Sequence, residues 1–539
     1  MSPNPNAGTL QLGEVSKPAM SRRLLWALLL IAVAGCASRR PSPQLMAELG
    51  QAHSLLAAGC YRCLEEALST FERLAGQPNA PPEVGRYAFY ATLLLVVRAR
   101  ELGLPDSVVM DLARLRNRDL PAGPPGLLPG TYFDALRLVS GELTGYSPEE
   151  RERRGKERRS LWTTDGTVPA ARAALSDGVE TDLVAQYIAL AIDCEDAQAR
   201  KTLDTGPILA RYPVPLMRFR VALCARTTDA LSQQMAALRD ADPRWVDTFF
   251  FEGAREMSRY PAPDVGRAAE LFALAHDAFP ESPAVTLALA NAQNALSEYD
   301  RALALFDQVL AGHPTHRDAL LGRVLSLSYL NRYQDAIRSA TQLLGLGMYH
   351  QGDAYYWRAW NRYRVHQLPA AWEDVTAATK LMVNTSVYTL AGFIAYAQQR
   401  LDVAIDRLTE AYRLDATNCE AVWTEALVHV DKEAWIPASG RFAIAVKCFA
   451  GAAEQARRDI GVAQRAEWAA PLKARRLATA QKQLETAEHR GAQAAFNAAG
   501  SYARLGQKAD AIVYIELAGQ HPLLKEKAAI LRTSIEKLP

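Results

Sequence analysis

Residues 299–314 read Tyr-Asp-Arg-Ala-Leu-Ala-Leu-Phe-Asp-Gln-Val-Leu-Ala-Gly-His-Pro, and the reading of the whole chain starts from this stretch. Apolar residues at 302, 303, 306, 309 and 310 recur every three or four positions and mark one face of a helix, which Pro314 ends because proline cannot continue the hydrogen-bond ladder. Tyr299 precedes the small Ala302 by three and Phe306 follows it by four. The same arrangement returns around Ala268, Ala336, Ala371, Ala404 and Ala438, so that the six alanines are spaced by 34, 34, 35, 33 and 34 residues. Tyr333, Ile337 and Leu343 accompany Ala336, and Leu368, Trp372 and Ala378 accompany Ala371. Leu401, Ile405, Leu408 and Ala411 surround Ala404; Trp435, Phe442 and Ala445 surround Ala438.

A fixed period of this length is the signature of a repeat array. Two antiparallel helices that approach closely need a small residue at the crossing and a large one beside it. Each such hairpin leaves an apolar face bare, which the next hairpin covers. The pattern resembles that of tetratricopeptide repeat (TPR) proteins. The resemblance implies an all-α fold, a right-handed superhelical solenoid of TPR-type helix-turn-helix hairpins.

The register is specific over 249–450, the TPR array, and thins on either side. Residues 44–118 read as degenerate N-terminal hairpins, with Leu64 to Leu74 as one helix and Arg86 to Gly103 and Asp106 to Arg118 as a further pair. A Pro/Gly linker covers 119–131, and 132–248 is helical in period but without register. An Ala- and Arg-rich helical segment, 451–490, is interrupted by Pro471 and polar enough to be largely exposed, and 491–539 is a terminal TPR-like hairpin and cap.

Before the array, Ser21-Arg22-Arg23 is followed by the apolar run Leu24 to Ala34, too short to span a bilayer, and then by Gly35-Cys36-Ala37-Ser38. A positive flank, a short apolar core and small residues at its end make a signal peptide over 1–35, with translation expected to begin at Met20. Val33-Ala34-Gly35-Cys36 resembles a lipobox, which implies lipidation of Cys36 and a lipidated tether over 36–43. Ala37 and Ser38 lack the aspartate of inner-membrane lipoproteins. By that resemblance the chain is an outer-membrane lipoprotein facing the periplasm or the cell surface.

Lys plus Arg number 61 against 59 for Asp plus Glu, and in the densest charged run, 149–159, the signs are interleaved. No global positive field is left for nucleic acid, and the membrane is reached through the N-terminal lipid alone. Six cysteines remain for an oxidising compartment. Cys60 and Cys63, a CxxC between helical segments, read as a local disulfide tightening a turn in preference to a redox or metal site. Cys419 and Cys448 fall at neighbouring ends of one hairpin, where a disulfide staple and two buried thiols both remain open. Cys194 and Cys224 have no register from which to argue.

The TPR resemblance also places a ligand groove on the first helices of successive hairpins. Carried over by position, it selects Leu287, Asn291 and Asn294, then Leu321, Leu325 and Tyr329, then Tyr356, Trp360, Tyr363 and Arg364, then Phe393, Tyr396 and Trp423. Aromatic rings with a polar handle are what recognition surfaces use, although at helical spacing they also serve as core. A chaperone-type carboxylate clamp would need a lysine where Leu287 stands, which argues against that mode. No nucleophile elbow, phosphate loop, HExxH or dinucleotide fingerprint occurs, and His313 and His316 sit in a turn without companion ligands; no catalytic residue, metal or cofactor is expected. The expected function is a non-catalytic scaffold that binds a protein or peptide of the cell envelope in its groove. A glycan-binding outer-membrane lipoprotein with an aromatic groove is the alternative.

Overall fold

The computed structural model describes residues 41–104, 213–224, 228–259, 263–347, 350–466 and 470–538, with a few helical positions between 183 and 203. Among the described residues all regular structure is helical. The signal peptide, Cys36 and nearly all of the tether, the 119–131 linker, the expected 106–118 helix, most of 132–248 and Cys194 lie outside the described residues.

Three helices, α1 (Pro43–Ala58), α2 (Tyr61–Ala75) and α3 (Glu83–Glu101), precede α4 (Val214–Cys224) and α5 (Thr228–Ala241). The array follows as pairs: α6 (Thr248–Ser258) with α7 (Val265–Ala278), α8 (Pro283–Ala295) with α9 (Tyr299–Gly312), and α10 (Arg317–Tyr329) with α11 (Tyr333–Gly345). Next come α12 (Gln351–Arg364) with α13 (Leu368–Leu381), α14 (Thr385–Ala397) with α15 (Leu401–Leu414), and α16 (Cys419–Asp431) with the long α17 (Trp435–Arg465). The chain returns along α18 (Ala470–Arg504) and ends with α19 (Lys508–Gly519) and α20 (Lys525–Glu536).

The period is written in the backbone as well as in the side chains. Residues 282, 316, 350, 384 and 418 stand immediately before the first helices of five consecutive hairpins. At four of them the side chain of Ser282, His316, Asn384 or Asn418 accepts the N–H of the third residue onward, satisfying a donor that the helix cannot. His350 departs from this: its Nε2 meets Asp318 at 2.6 Å, and hydrogen bonds to Asp318 and Asp353 push the imidazole up to about 9, so it serves as a cation between two carboxylates.

The turn inside each hairpin repeats too. Ser297, Asn331, His366, Gln399 and Glu433 all have positive φ, between 56° and 63°. Each stands five residues before the alanine of its repeat. Directly after each, an N–H reaches back five residues, as in Glu298 to Gln293 and Arg400 to Ala395, both 2.9 Å, the pattern of a left-handed helix stop. Ala268, Ala302, Ala336, Ala371, Ala404 and Ala438 are fully buried at the crossing, beside Phe272, Phe306 or Phe442 in three of the hairpins. Where a first helix comes closest, glycine replaces alanine. A Cβ on Gly322 would stand 2.2 Å from the Phe306 ring, and one on Gly392 would stand 2.5 Å from Leu408.

Both ends of the array are covered, as a solenoid requires. At the N-terminal end, Arg62 donates to the Ala278 carbonyl at 3.1 Å and lies over the Phe279 ring, while Ser282 Oγ donates to the Leu102 carbonyl. Fully buried Arg98 pairs with Asp247 and Glu101 and lies between the rings of Phe219 and Phe251. Beyond the array, α19 and α20 close the C-terminal face with Ile515, Ala528 and Ile535.

The Ala/Arg-rich segment is the part that differs from expectation. It is not a separate unit, since α17 and α18 run through both of its expected limits. Most of its described residues are exposed, as its polarity implies, yet one stripe is buried: Ala456 and Ala463 on α17 and Ala480 and Ala487 on α18 continue Phe449 and Ala494 at intervals of seven. This is a coiled-coil spacing with alanine knobs, which lets two helices run side by side. Pro471 sits in the first turn of α18, where its missing N–H costs no bond.

The turn residues supply a direct test of the repeat geometry. Replacing Gln399 (φ 62°) by Val puts a β-branched side chain in left-handed backbone. That is expected to lower stability by about 1–2 kcal/mol, while Gln399→Gly is neutral or stabilising. Urea unfolding of the two variants checks the order.

Candidate ligand groove

First helices α8, α10, α12, α14 and α16 stack side by side, held by polar contacts from one to the next. Ser326 Oγ donates to Asn294 Oδ1 (2.7 Å), Asn361 Nδ2 to Ser328 Oγ (2.7 Å), and Asn418 Nδ2 to both Thr385 and Thr389 (2.6 and 2.7 Å). Asn294 is therefore half-buried and committed to a neighbour, whereas Asn291 on the same helix is exposed. Leu287, Leu321 and Leu325 are half-buried in the same stack.

The rings of the expected groove are brought together over three hairpins. Tyr329, 54% exposed, stacks on Tyr299 with centroids 4.6 Å apart and planes within 7°. It also meets the edge of Trp357 at 6.0 Å, and Trp357 meets Tyr356 at 5.3 Å. Farther along α12, Trp360 lies 6.4 Å from Tyr363, and the Arg364 guanidinium rests over both Trp360 (5.7 Å) and Tyr333 (5.0 Å). Trp360, Tyr356 and Tyr363 each have one side against the core made by Ala359, Val375 and Val387 and the other side partly open. Burial pushes the phenols of Tyr329 and Tyr356 up, so both remain neutral donors.

Later in the row the groove positions are more committed. Phe393 is half-buried beside Ala395 and Ala404, and Tyr396 donates to Asp431 at 2.6 Å, with burial and that carboxylate pushing its phenol up to about 12. Trp423 is covered by the Arg490 guanidinium of α18, 4.6 Å from its ring, and its indole N–H is buried without a hydrogen-bond partner. The open part of the row thus runs from Tyr299 to Arg364.

Charge is kept away from this surface by two means. Helices α8 and α14 contain no Asp, Glu, Lys, Arg or His at all. On the others four charges turn to the second helices: Arg358 and Arg362 both bond buried Asp374 (2.7 Å each), Arg323 bonds Asp307 (2.6 Å), and buried Glu425 is met by Arg441 (2.9 Å), while Asp431 stays on the row beside Tyr396. An uncharged aromatic strip with Arg364 at its edge can hold apolar or aromatic groups and accept hydrogen bonds from few partners.

Position-by-position reading selected Tyr329, Tyr356, Trp360, Tyr363 and Arg364 for this strip but not Tyr299, Tyr333 or Trp357. Tyr299 and Tyr333 open second helices, where the repeat pattern assigns them to packing, and Trp357 lies one position off the groove stripe. The signal was an aromatic three before the alanine in two adjacent repeats, next to an aromatic-rich first helix.

Cys60 and Cys63 are joined by a disulfide at the start of α2, and Cys419 and Cys448 by another that ties α16 to α17. Cys224 is disulfide-bonded as well. No group of three or more His, Cys, Asp or Glu that could hold a metal occurs among the described residues.

No family model matches the chain, and no curated protein matches it. Solved structures do. A tetratricopeptide repeat protein from Parabacteroides merdae is similar over 50% of this chain and 97% of its own, at 11% identity and a TM-score of 0.36. YrrB, described as a TPR protein with an unusual peptide-binding site, is similar over 33% of this chain and 93% of its own, at 22% identity and a TM-score of 0.29. A thermophilic TPR protein of Thermus thermophilus is similar over 34% and 99%, at 14% identity and a TM-score of 0.30. Superpositions this partial leave the assignment to the register, the buried alanines and the shared turn. Those features give the chain its fold, an all-helical solenoid of TPR-type helix-turn-helix hairpins.

Proposed function

We propose that this protein is a non-catalytic scaffold whose first-helix groove binds a protein or peptide segment, with the ring row from Tyr299 to Trp360 as the contact surface. The observation that carries the reading is the combination of stacked, half-open rings with the diversion of nearby charges to the second helices. Rings of this kind bury large area at little rotamer cost, and an uncharged strip has no fixed charges of its own to desolvate on binding. The strip has no basic cluster for acidic peptide tails.

By its N-terminal sequence the scaffold is a lipoprotein, attached by Cys36 to the outer membrane and working in the cell envelope. Among the described residues no helix is long and apolar enough to cross a membrane. Attachment would raise the effective concentration of the groove near membrane partners.

A photo-crosslinking residue at 329 or 360, introduced in cells, should capture a protein that the same residue at exposed Val383, in the turn between α13 and α14, does not. The purified pair should then lose about 30-fold in affinity in Tyr329→Ala/Trp360→Ala. Loss of binding with an unchanged melt supports the groove. A collapsed melt assigns the rings to packing, and capture of polysaccharide alone favours the glycan reading. For the anchor, Cys36→Ala should move the protein from the membrane to the soluble fraction, and unchanged membrane association would refute lipid attachment.

A further inference from the structure

The α17–α18 hairpin continues about 24 Å past Phe449, well beyond the length of a TPR second helix, and its far end does not hang free. Near the start of α18, Arg476 donates to the Pro263 carbonyl at 3.0 Å, and Arg475 lies 3.8 Å from Asp264. Pro263 and Asp264 form the turn between α6 and α7, at the opposite end of the array from the hairpin's root. Gly266, in the first turn of α7, makes the seat: a Cβ there would fall 1.3 Å from the Arg475 guanidinium. Between root and tip the hairpin passes the α8–α9 turn, and a cavity of about 1100 Å³ lies between Ser297 on that turn and the hairpin's Gln455, Asp459, Lys482 and Gln483.

We propose that the long hairpin is a clasp that holds the last TPR hairpin to the first and closes the open side of the superhelix, and that a partner enters the groove when the clasp is released. The part concerning a partner rests on the groove reading above; the clasp itself does not. Its two ends differ in strength. The root is fixed by the Cys419–Cys448 disulfide, by Arg490 on Glu420 (3.2 Å) and by the alanine seam with α17. Among the described residues the tip meets the array through one hydrogen bond and one ion pair whose arginine is 41% exposed, contacts of a kind that salt weakens. A lever with a rigid root and a weak, charged tip has two positions.

Small-angle scattering and limited proteolysis of the full chain, without any partner, test this. Wild type at low salt should be the compact form, and Arg475→Glu/Arg476→Glu should increase the radius of gyration and speed cleavage within 454–486 several-fold at unchanged helix content. Gly266→Val, whose side chain displaces the flexible Arg475 guanidinium from that seat, should change both readouts in the same direction by less, and high salt should bring wild type toward both variants. An identical radius and cleavage pattern in wild type and both variants would overturn the clasp, as would a wild type already expanded at low salt. Neither result depends on whether the groove binds protein.

Discussion

Everything in this molecule depends on how closely two antiparallel helices can approach at one small residue. The fully buried alanines, from Ala268 to Ala438, set the distance within each hairpin. The left-handed turn five residues earlier sets the angle at which the second helix departs. Because the same turn recurs in five consecutive hairpins, each adds nearly the same small rotation, and a solenoid results. Glycine appears on the first helices at Gly322 and Gly392, where an aromatic or leucine side chain of a second helix needs the room.

The same packing dictates where chemistry can go. Second helices receive several charges of the first, at Asp374, Asp307 and Arg441, so that these side chains do not compete for the ring row from Tyr299 to Trp360. What remains there is a set of rings supported from behind by Ala359, Val375 and Val387. Their stacking fixes their orientation before any partner arrives, which lowers the entropic cost of binding. The rings are therefore both packing and surface, with one face given to each. The sequence could not separate these roles, because a half-buried aromatic has the same spacing as a buried one.

The repeat was legible in the alanines and their apolar neighbours, and the residues that cap the first helices carry the same 34-residue spacing. Ser282, Asn384 and Asn418 are ordinary caps; His350, which breaks the series, shows that the period survives the loss of one cap when an ion pair with Asp318 takes over. The long hairpin was not legible from that period. Phe449, Ala456 and Ala463 follow a spacing of seven, and so do Ala480, Ala487 and Ala494, but alanine carries so little hydrophobic signal that the surrounding arginines and glutamates read as an exposed helix. Tyr299, Tyr333 and Trp357 were missed for a related reason: their contribution to the strip comes from contacts between neighbouring hairpins, and a single repeat does not contain it.

The central claim is that the ring row is a working surface and not interior. Hydroxyl-radical footprinting of the purified protein, with and without its captured partner, measures this residue by residue. The account predicts that Tyr329 and Trp360 oxidise readily in the free protein while Phe306 and Phe442 do not, and that the partner protects the row from Tyr299 to Trp360 and little else. Slow oxidation of Tyr329 and Trp360 in the free protein, or protection confined to the convex face, would contradict it.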